Sequence, residues 1–240
     1  MIDPSLSAAF DRVAARRRDV LHAFEPGFEP EFGDVAGRAG VQPDADPLSV
    51  VAPEGTYFAA AGPENEPSFS RAGAFRVVGG ELRFAGDGRP VLGLALDRRG
   101  TLVPLRVDPY DAALGGVADA RLAADGTFSY ARTSVDPRSG ERRTERVTVG
   151  RIALARFPAG TQPERIDGTH VRAPHGVTPQ IGLPDDGRFA PLATRSRELG
   201  RVDLIVGLER LREAYDGVEA VRAANHVRAS LDRTAMDLLK

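Results

Sequence analysis

With 240 residues, 42% of them hydrophobic and 28% charged, the chain has the composition of a globular protein that can bury a core, which excludes disorder throughout. A net charge of −2 supplies no positive field for nucleic acid or an anionic membrane surface, and neither partner is expected. The absence of cysteine excludes disulfides, thiolate-bound zinc, iron–sulfur clusters and thiol catalysis together.

Residues 1–24 read as a helix. Asp3 suits the cap and Pro4 the first turn, while Leu6, Phe10, Val13, Val20 and Phe24 recur at steps of three and four, with Arg17 in the one missing position. Such a stripe is a narrow seam for one partner helix, or the apolar face of a helix lying on a globular core. Residues 25–47 dissolve into Pro, Gly and acidic residues and form an irregular connector. Phe24, Phe28 and Phe32 are too many for a freely solvated linker, so part of it is expected to pack.

Residues 48–157 carry strand signals, short apolar runs such as Leu48-Ser49-Val50-Val51 punctuated by turn residues. Gly79-Gly80 between Phe75–Val78 and Glu81–Phe84 predicts a tight hairpin, and Asp125-Gly126 before Phe128-Ser129-Tyr130 predicts another. Asp136 to Arg146 is a mixed-charge arm or exposed loop. Residues 158–201, rich in Pro and Gly, read as extended chain returning along the body.

From about Val202 to Lys240 there is no proline and only Gly207 and Gly217 interrupt good helix formers. Leu204, Leu208, Leu211, Tyr215 and Val218 step four, three, four, three, and the stripe then drifts to Leu231, Ala235 and Leu238. At about 1.5 Å per residue this helix would run roughly 55 Å, too long for one face of a domain this size. Gly217 costs about 1 kcal/mol relative to alanine, so either a neighbour approaches the backbone there or the helix bends. The expected fold is mostly β with α: a β-sandwich or barrel-like body flanked by terminal helices that form a coiled-coil-like pair.

No enzyme is expected. His22, His170, His175 and His226 are scattered, and Thr169-His170-Val171-Arg172-Ala173-Pro174-His175 offers two ligands with no third in sequence reach. Asp185-Asp186-Gly187 reads as a turn rather than a calcium loop, and no nucleophile elbow or phosphate-binding loop occurs. Catalytic, cofactor and metal residues are therefore all assigned as none. Arg16-Arg17-Arg18 beside Asp19 reads as a solvated face.

Phe69-Ser70-Arg71-Ala72-Gly73-Ala74-Phe75 is similar to the aromatic, Ser or Thr, Arg, variable, Gly, small, Phe signature of the bacterial flagellar hook and basal-body rod proteins. Gly80-Glu81-Leu82 and Val91-Leu92-Gly93 follow it as in that family, and Gly55-Thr56-Tyr57-Phe58 precedes it. Downstream, Val149-Gly150 through Phe157, then Pro163 to Gly168, and Arg212-Glu213-Ala214-Tyr215-Asp216 resemble later family segments in the family's order. The resemblance covers roughly residues 46 to 240. In place of the family's Asn-rich N-terminal signature the chain has Ala23-Phe24-Glu25-Pro26-Gly27-Phe28.

The resemblance implies a structural rod or hook subunit that polymerises with copies of itself and with other flagellar axial proteins. It would be exported to the periplasmic rod without a cleaved signal peptide, in keeping with an N-terminus that lacks the layout of such a signal. No run approaches the roughly 18 apolar residues that span a bilayer, so no membrane insertion is expected. The expected assembly seam is Leu6, Phe10, Val13 and Val20 with Leu204, Leu208, Leu211, Tyr215 and Val218, and the family motif residues are Phe69, Arg71, Gly73 and Phe75. The rival expectation is a free-standing extracellular β-sandwich binding module whose long helix lies across its own sheet.

Overall fold

The computed structural model describes residues 4–25, 27, 28, 30, 31, 36, 40–62, 66–95, 101–107, 117–135 and 142–238. The expected cap Asp3, the aromatic Phe32 and residues 136–141 of the charged arm lie outside them. The chain is mostly β with one helix near each end. In chain order the elements are α1 (Pro4–Leu21), β1 (Val41–Pro43), β2 (Val50–Val51), β3 (Tyr57–Ala61), β4 (Pro67–Ser70), β5 (Phe75–Val78), β6 (Glu81–Phe84), β7 (Leu92–Ala95) and β8 (Val103–Pro104). They continue as β9 (Ala118–Leu122), β10 (Thr127–Val135), β11 (Arg142–Ile152), β12 (Leu154–Arg156), β13 (Glu164–Arg165), β14 (His170–Arg172), β15 (Gln180–Gly182), β16 (Ala193–Thr194), β17 (Ser196–Glu198) and α2 (Leu204–Leu238). Residues 1–39 and 200–240 form one compact unit, and residues 40–199 form a second.

In the second unit the strands form a five-stranded sheet, β8-β7-β11-β10-β9, a six-stranded sheet, β13-β14-β4-β3-β12-β15, and the pairs β5–β6, β1–β17 and β2–β16. The pairings between these strands are antiparallel. The barrel closure expected from the sequence is not found among the described residues: both larger sheets end in strands with one neighbour. Their terminal strands are too short to close a ring, β8 and β13 having two residues each. The return segment is more regular than its composition predicts, because β13, β14 and β15 pair into the six-stranded sheet.

The six-stranded sheet is buried on both faces at its centre. Phe58 and Ala60 of β3 and Leu154 of β12 enter one core with Leu82, Leu105, Phe128, Ile152 and Phe189. Ala59 and Ala155 enter a second with Phe69 and Val171. Two buried faces explain why Tyr57-Phe58-Ala59-Ala60-Ala61 reads as a continuous apolar run rather than an alternation. Within the first core Phe75 stands edge-on to Phe58 at 5.2 Å and to Phe84 at 5.1 Å.

The two expected hairpins form. Gly79 and Gly80 have φ of 57° and 79°, the pair of left-handed residues a two-residue turn requires, and set the register Val78 opposite Glu81. In the other turn the Asp125 carboxylate accepts from the Thr127 amide at 3.0 Å, and Gly126 has φ of 81°. Asp185-Asp186-Gly187 is a turn as well: Asp186 accepts from the amides of Leu183, Arg188 and Phe189.

In the first unit α1 and α2 pack on each other through Val13, Ala214 and Val218, with Leu6, Ala9 and Leu211 at the margin. Asp203 caps α2 by accepting from the amides of Ile205 and Val206 at 3.1 and 3.2 Å. Part of the connector packs, as its phenylalanines predict: Phe28 is buried and stacks on His22 at 5.4 Å, and the Glu31 amide donates to the buried Asp19 carboxylate. Phe24 is exposed.

Candidate functional site

Among the described residues, most of the exposed large apolar side chains belong to the terminal helices. Of the expected seam, Leu6, Val13, Val20, Leu204, Leu211 and Val218 are buried or half-buried in the structure. Phe10, Leu208 and Tyr215 are instead exposed at 43%, 50% and 51%. Their places between the helices are taken by the preceding residues, Ala9, Gly207 and Ala214. The step of three and four is kept, but small residues occupy the alternate positions. Gly207 is where the helices come close: a Cβ there would stand 3.3 Å from the Val20 methyl. Among the described residues nothing comes within 4 Å of a Cβ placed at Gly217, and α2 continues through it.

The displaced large side chains share one side of the pair. Helical phase puts Phe10 and Leu21 on one flank of α1, and Leu208, Tyr215 and Arg222 on one flank of α2. The Arg222 guanidinium lies 5.3 Å above the Phe10 ring, so the two flanks face the same way. With Leu21 65% exposed, they make an apolar strip along the helix pair. α2 also outlasts its partner, 35 residues against 18, and beyond the stretch that meets α1 it exposes Val227 and Leu231.

The motif residues form a second constellation, and it is internal. Phe69, Arg71, Gly73 and Phe75 are all buried. Arg71 places Nε 2.9 Å from Glu198 Oε1 and Nη2 2.5 Å from Glu198 Oε2, and donates to the carbonyls of Thr56 at 2.7 Å, Ala52 at 3.2 Å and Pro53 at 3.3 Å. A Cβ at Gly73 would collide with the Val50 carbonyl, because the Val50 amide donates to Gly73 O at 2.8 Å. The signature thus builds a joint, in which the arginine fork binds β17 to the loop before β3 while the glycine lets β2 lie against the chain leading into β5.

A third group was not legible from the chain. His170 and His175 do not come together: His170 is buried and His175 exposed. His170 Nδ1 instead lies 3.4 Å from Asp87 and 3.5 Å from Asp167. These three could ligate a cation, yet the Arg89 guanidinium already occupies that role, at 3.0 Å from Asp87 and 2.8 Å from Asp167. Burial pushes the Asp167 carboxyl up, but the amides of Thr169 and His170, together with His170 and Arg89, hold it below the usual carboxylate range. Asp87 lies 83 residues before His170 in sequence, and spacing gave no sign of it.

No protein-family model and no curated protein matches this chain. The described residues include no helix long and apolar enough to cross a membrane.

Proposed function

We propose that the chain is a structural subunit of the bacterial flagellar rod and hook assembly that polymerises through its terminal helices. The observation that carries this reading is the apolar strip of Leu21, Phe10, Leu208 and Tyr215 on the helix pair; Val227 and Leu231 add exposed apolar surface on another face of α2, where it has outrun α1. Water-exposed apolar side chains at regular helical spacing are costly in a solitary molecule and are covered when a second helix pair lies along them. An asymmetric contact of this kind, repeated from copy to copy, generates an open helical array instead of a closed dimer. In this reading α1 and α2 form a coiled-coil-like pair, and the two larger sheets form a sandwich-like body. The ordered succession of motifs from Phe69 to Tyr215 supports the flagellar assignment, and with it copies of this chain and other axial proteins as partners and the periplasmic rod as location.

The test is self-association of the full chain, followed by sedimentation velocity over a hundredfold range of concentration and by electron microscopy of the concentrated sample. Leu208→Glu with Tyr215→Glu should leave the melting temperature unchanged and abolish assembly, since both side chains already face solvent in the single molecule. A wild-type chain that stays monomeric at the highest concentration would end the polymerisation reading and leave the free-standing binding module in its place.

A further inference from the structure

The proposed assembly makes no use of His170, although its side chain is 1% exposed and chemically unusual. β14 sets it opposite Ser70 of β4, with its ring edge-on to Phe84 at 5.2 Å. Nδ1 faces three oxygens, Thr169 Oγ1 at 3.1 Å, Asp87 Oδ2 at 3.4 Å and Asp167 Oδ1 at 3.5 Å. Nε2 is buried and has no hydrogen-bond partner among the described residues. The neutral ring with its proton on Nδ1 fits this pocket, because it donates towards the oxygens and leaves Nε2 bare against apolar surroundings. A second proton must go to Nε2, where it would meet no acceptor among the described residues.

The charged groups around the ring come from two turns. Asp87 and Arg89 belong to the turn after β6, and Asp167 to the turn before β14. Arg89 joins them, donating from Nη2 to Asp167 Oδ2 at 2.8 Å across 78 residues of sequence. The Asp167 Oδ1 atom is held by the amides of Thr169 at 2.8 Å and His170 at 2.7 Å. From β4 the neighbouring group is the uncharged Ser70 hydroxyl, which donates to the Thr169 carbonyl. Arg83 of β6 binds the Gly88 carbonyl at 2.8 Å and steadies the same turn from within its own hairpin.

We propose that His170 is an acid-sensitive clamp that fastens the turn of residues 85–90 to the turn of residues 166–169, and that protonation of Nε2 expels the ring and frees both turns. Burial, reinforced by Arg89 and opposed by Asp87 and Asp167, lowers the pKa of His170 in the closed state. The expelled ring returns to an ordinary value near 6.5 and therefore binds the proton more readily. The clamp is thus fully effective above about pH 6.5 and weakens as pH falls towards the lower pKa of the closed state, by up to about tenfold per pH unit. Asp167, held below the usual carboxylate range, stays charged through the upper part of that window and does not itself release the turns.

Hydrogen exchange of the full chain between pH 7.5 and pH 4.5, corrected for the intrinsic pH dependence of exchange, tests this. Protection of residues 84–91 and 166–171 should fall together below about pH 6, by tenfold or more, while the β10–β11 hairpin keeps its protection. His170→Phe should abolish that pH dependence. Should this variant fail to fold, Asp87→Asn serves instead: it removes a carboxylate that favours the proton in the closed state, so release should move to higher pH. Unchanged wild-type protection across the range overturns the clamp, as does a His170→Phe profile equal to the wild type or an Asp87→Asn release at the wild-type pH or below. None of these outcomes depends on polymerisation.

Discussion

Arg71 and Glu198 form a buried two-point ion pair although 127 residues separate them. Two side chains 5% and 1% exposed have surrendered nearly all their hydration, and the fork geometry of guanidinium on carboxylate is what compensates. Arg71→Ala removes the guanidinium fork that faces the buried Glu198 carboxylate and should cost about 3–5 kcal/mol in urea unfolding. Arg71→Lys should recover little, because an ammonium cannot serve Glu198 and the carbonyls of Ala52 and Thr56 from one plane. Arg71→Met with Glu198→Leu should be less damaging than Arg71→Ala alone. If the double variant is worse, the pair contributes net stability beyond its own desolvation.

Two glycines should respond oppositely to alanine. At Gly73 a Cβ meets the Val50 carbonyl, so Gly73→Ala must push β2 from the chain it bonds to, and a loss of about 3 kcal/mol or more is expected. At Gly217 a Cβ meets nothing within 4 Å among the described residues, so Gly217→Ala should stabilise α2 by about 1 kcal/mol through helix propensity alone. Thermal melts of the two variants against the wild type decide both. Destabilisation by Gly217→Ala would mean that the glycine serves a contact made only between molecules.

Local signals were readable in the sequence and distant ones were not. Gly79-Gly80 and Asp125-Gly126 specify their turns with neighbouring residues alone, so both hairpins are legible in the chain. Both terminal helices were legible from their apolar period. Which residues face each other was not, because an apolar period marks the large side chains, whereas close helix approach favours Ala9, Gly207 and Ala214 and turns Phe10, Leu208 and Tyr215 outwards. The strands of the return segment went unseen because two- and three-residue strands such as β13 and β15 carry no period of their own. The partners of Arg71 and His170 were invisible for the same reason: Glu198 and Asp87 are brought in by tertiary structure, and their sequence neighbours give no hint of it.

Acid should loosen the turn after β15 later than it loosens the histidine clamp. Burial pushes the Asp186 carboxyl up, but the amides of Arg188, Leu183 and Phe189, with the Arg188 guanidinium, outweigh it and hold the group well below the ordinary carboxylate range. A depressed folded pKa means that its contribution is complete above the unfolded value near 3.9 and is lost as pH falls through the folded one. Asp186→Asn should therefore reduce stability at pH 7 and narrow the gap to wild type below about pH 3. A constant gap from pH 7 to pH 2 would show that the side chain acts through shape and not charge.

The helix pair offers a separation of packing from exposure within seven residues of α2, 208–214. Ala214 lies between α1 and α2, so Ala214→Leu forces the helices apart and should cost about 1–3 kcal/mol. Leu211, half-buried on the same stripe, should cost about 1–2 kcal/mol as Leu211→Ala. Leu208, a residue of the same type but half exposed, should change stability by less than about 0.5 kcal/mol as Leu208→Ala. The measurement is the helical circular dichroism melt at concentrations too low for association. Equal losses at Leu208 and Leu211 would place the seam where side-chain size alone predicts it, and would remove the apolar strip on which the assembly proposal stands.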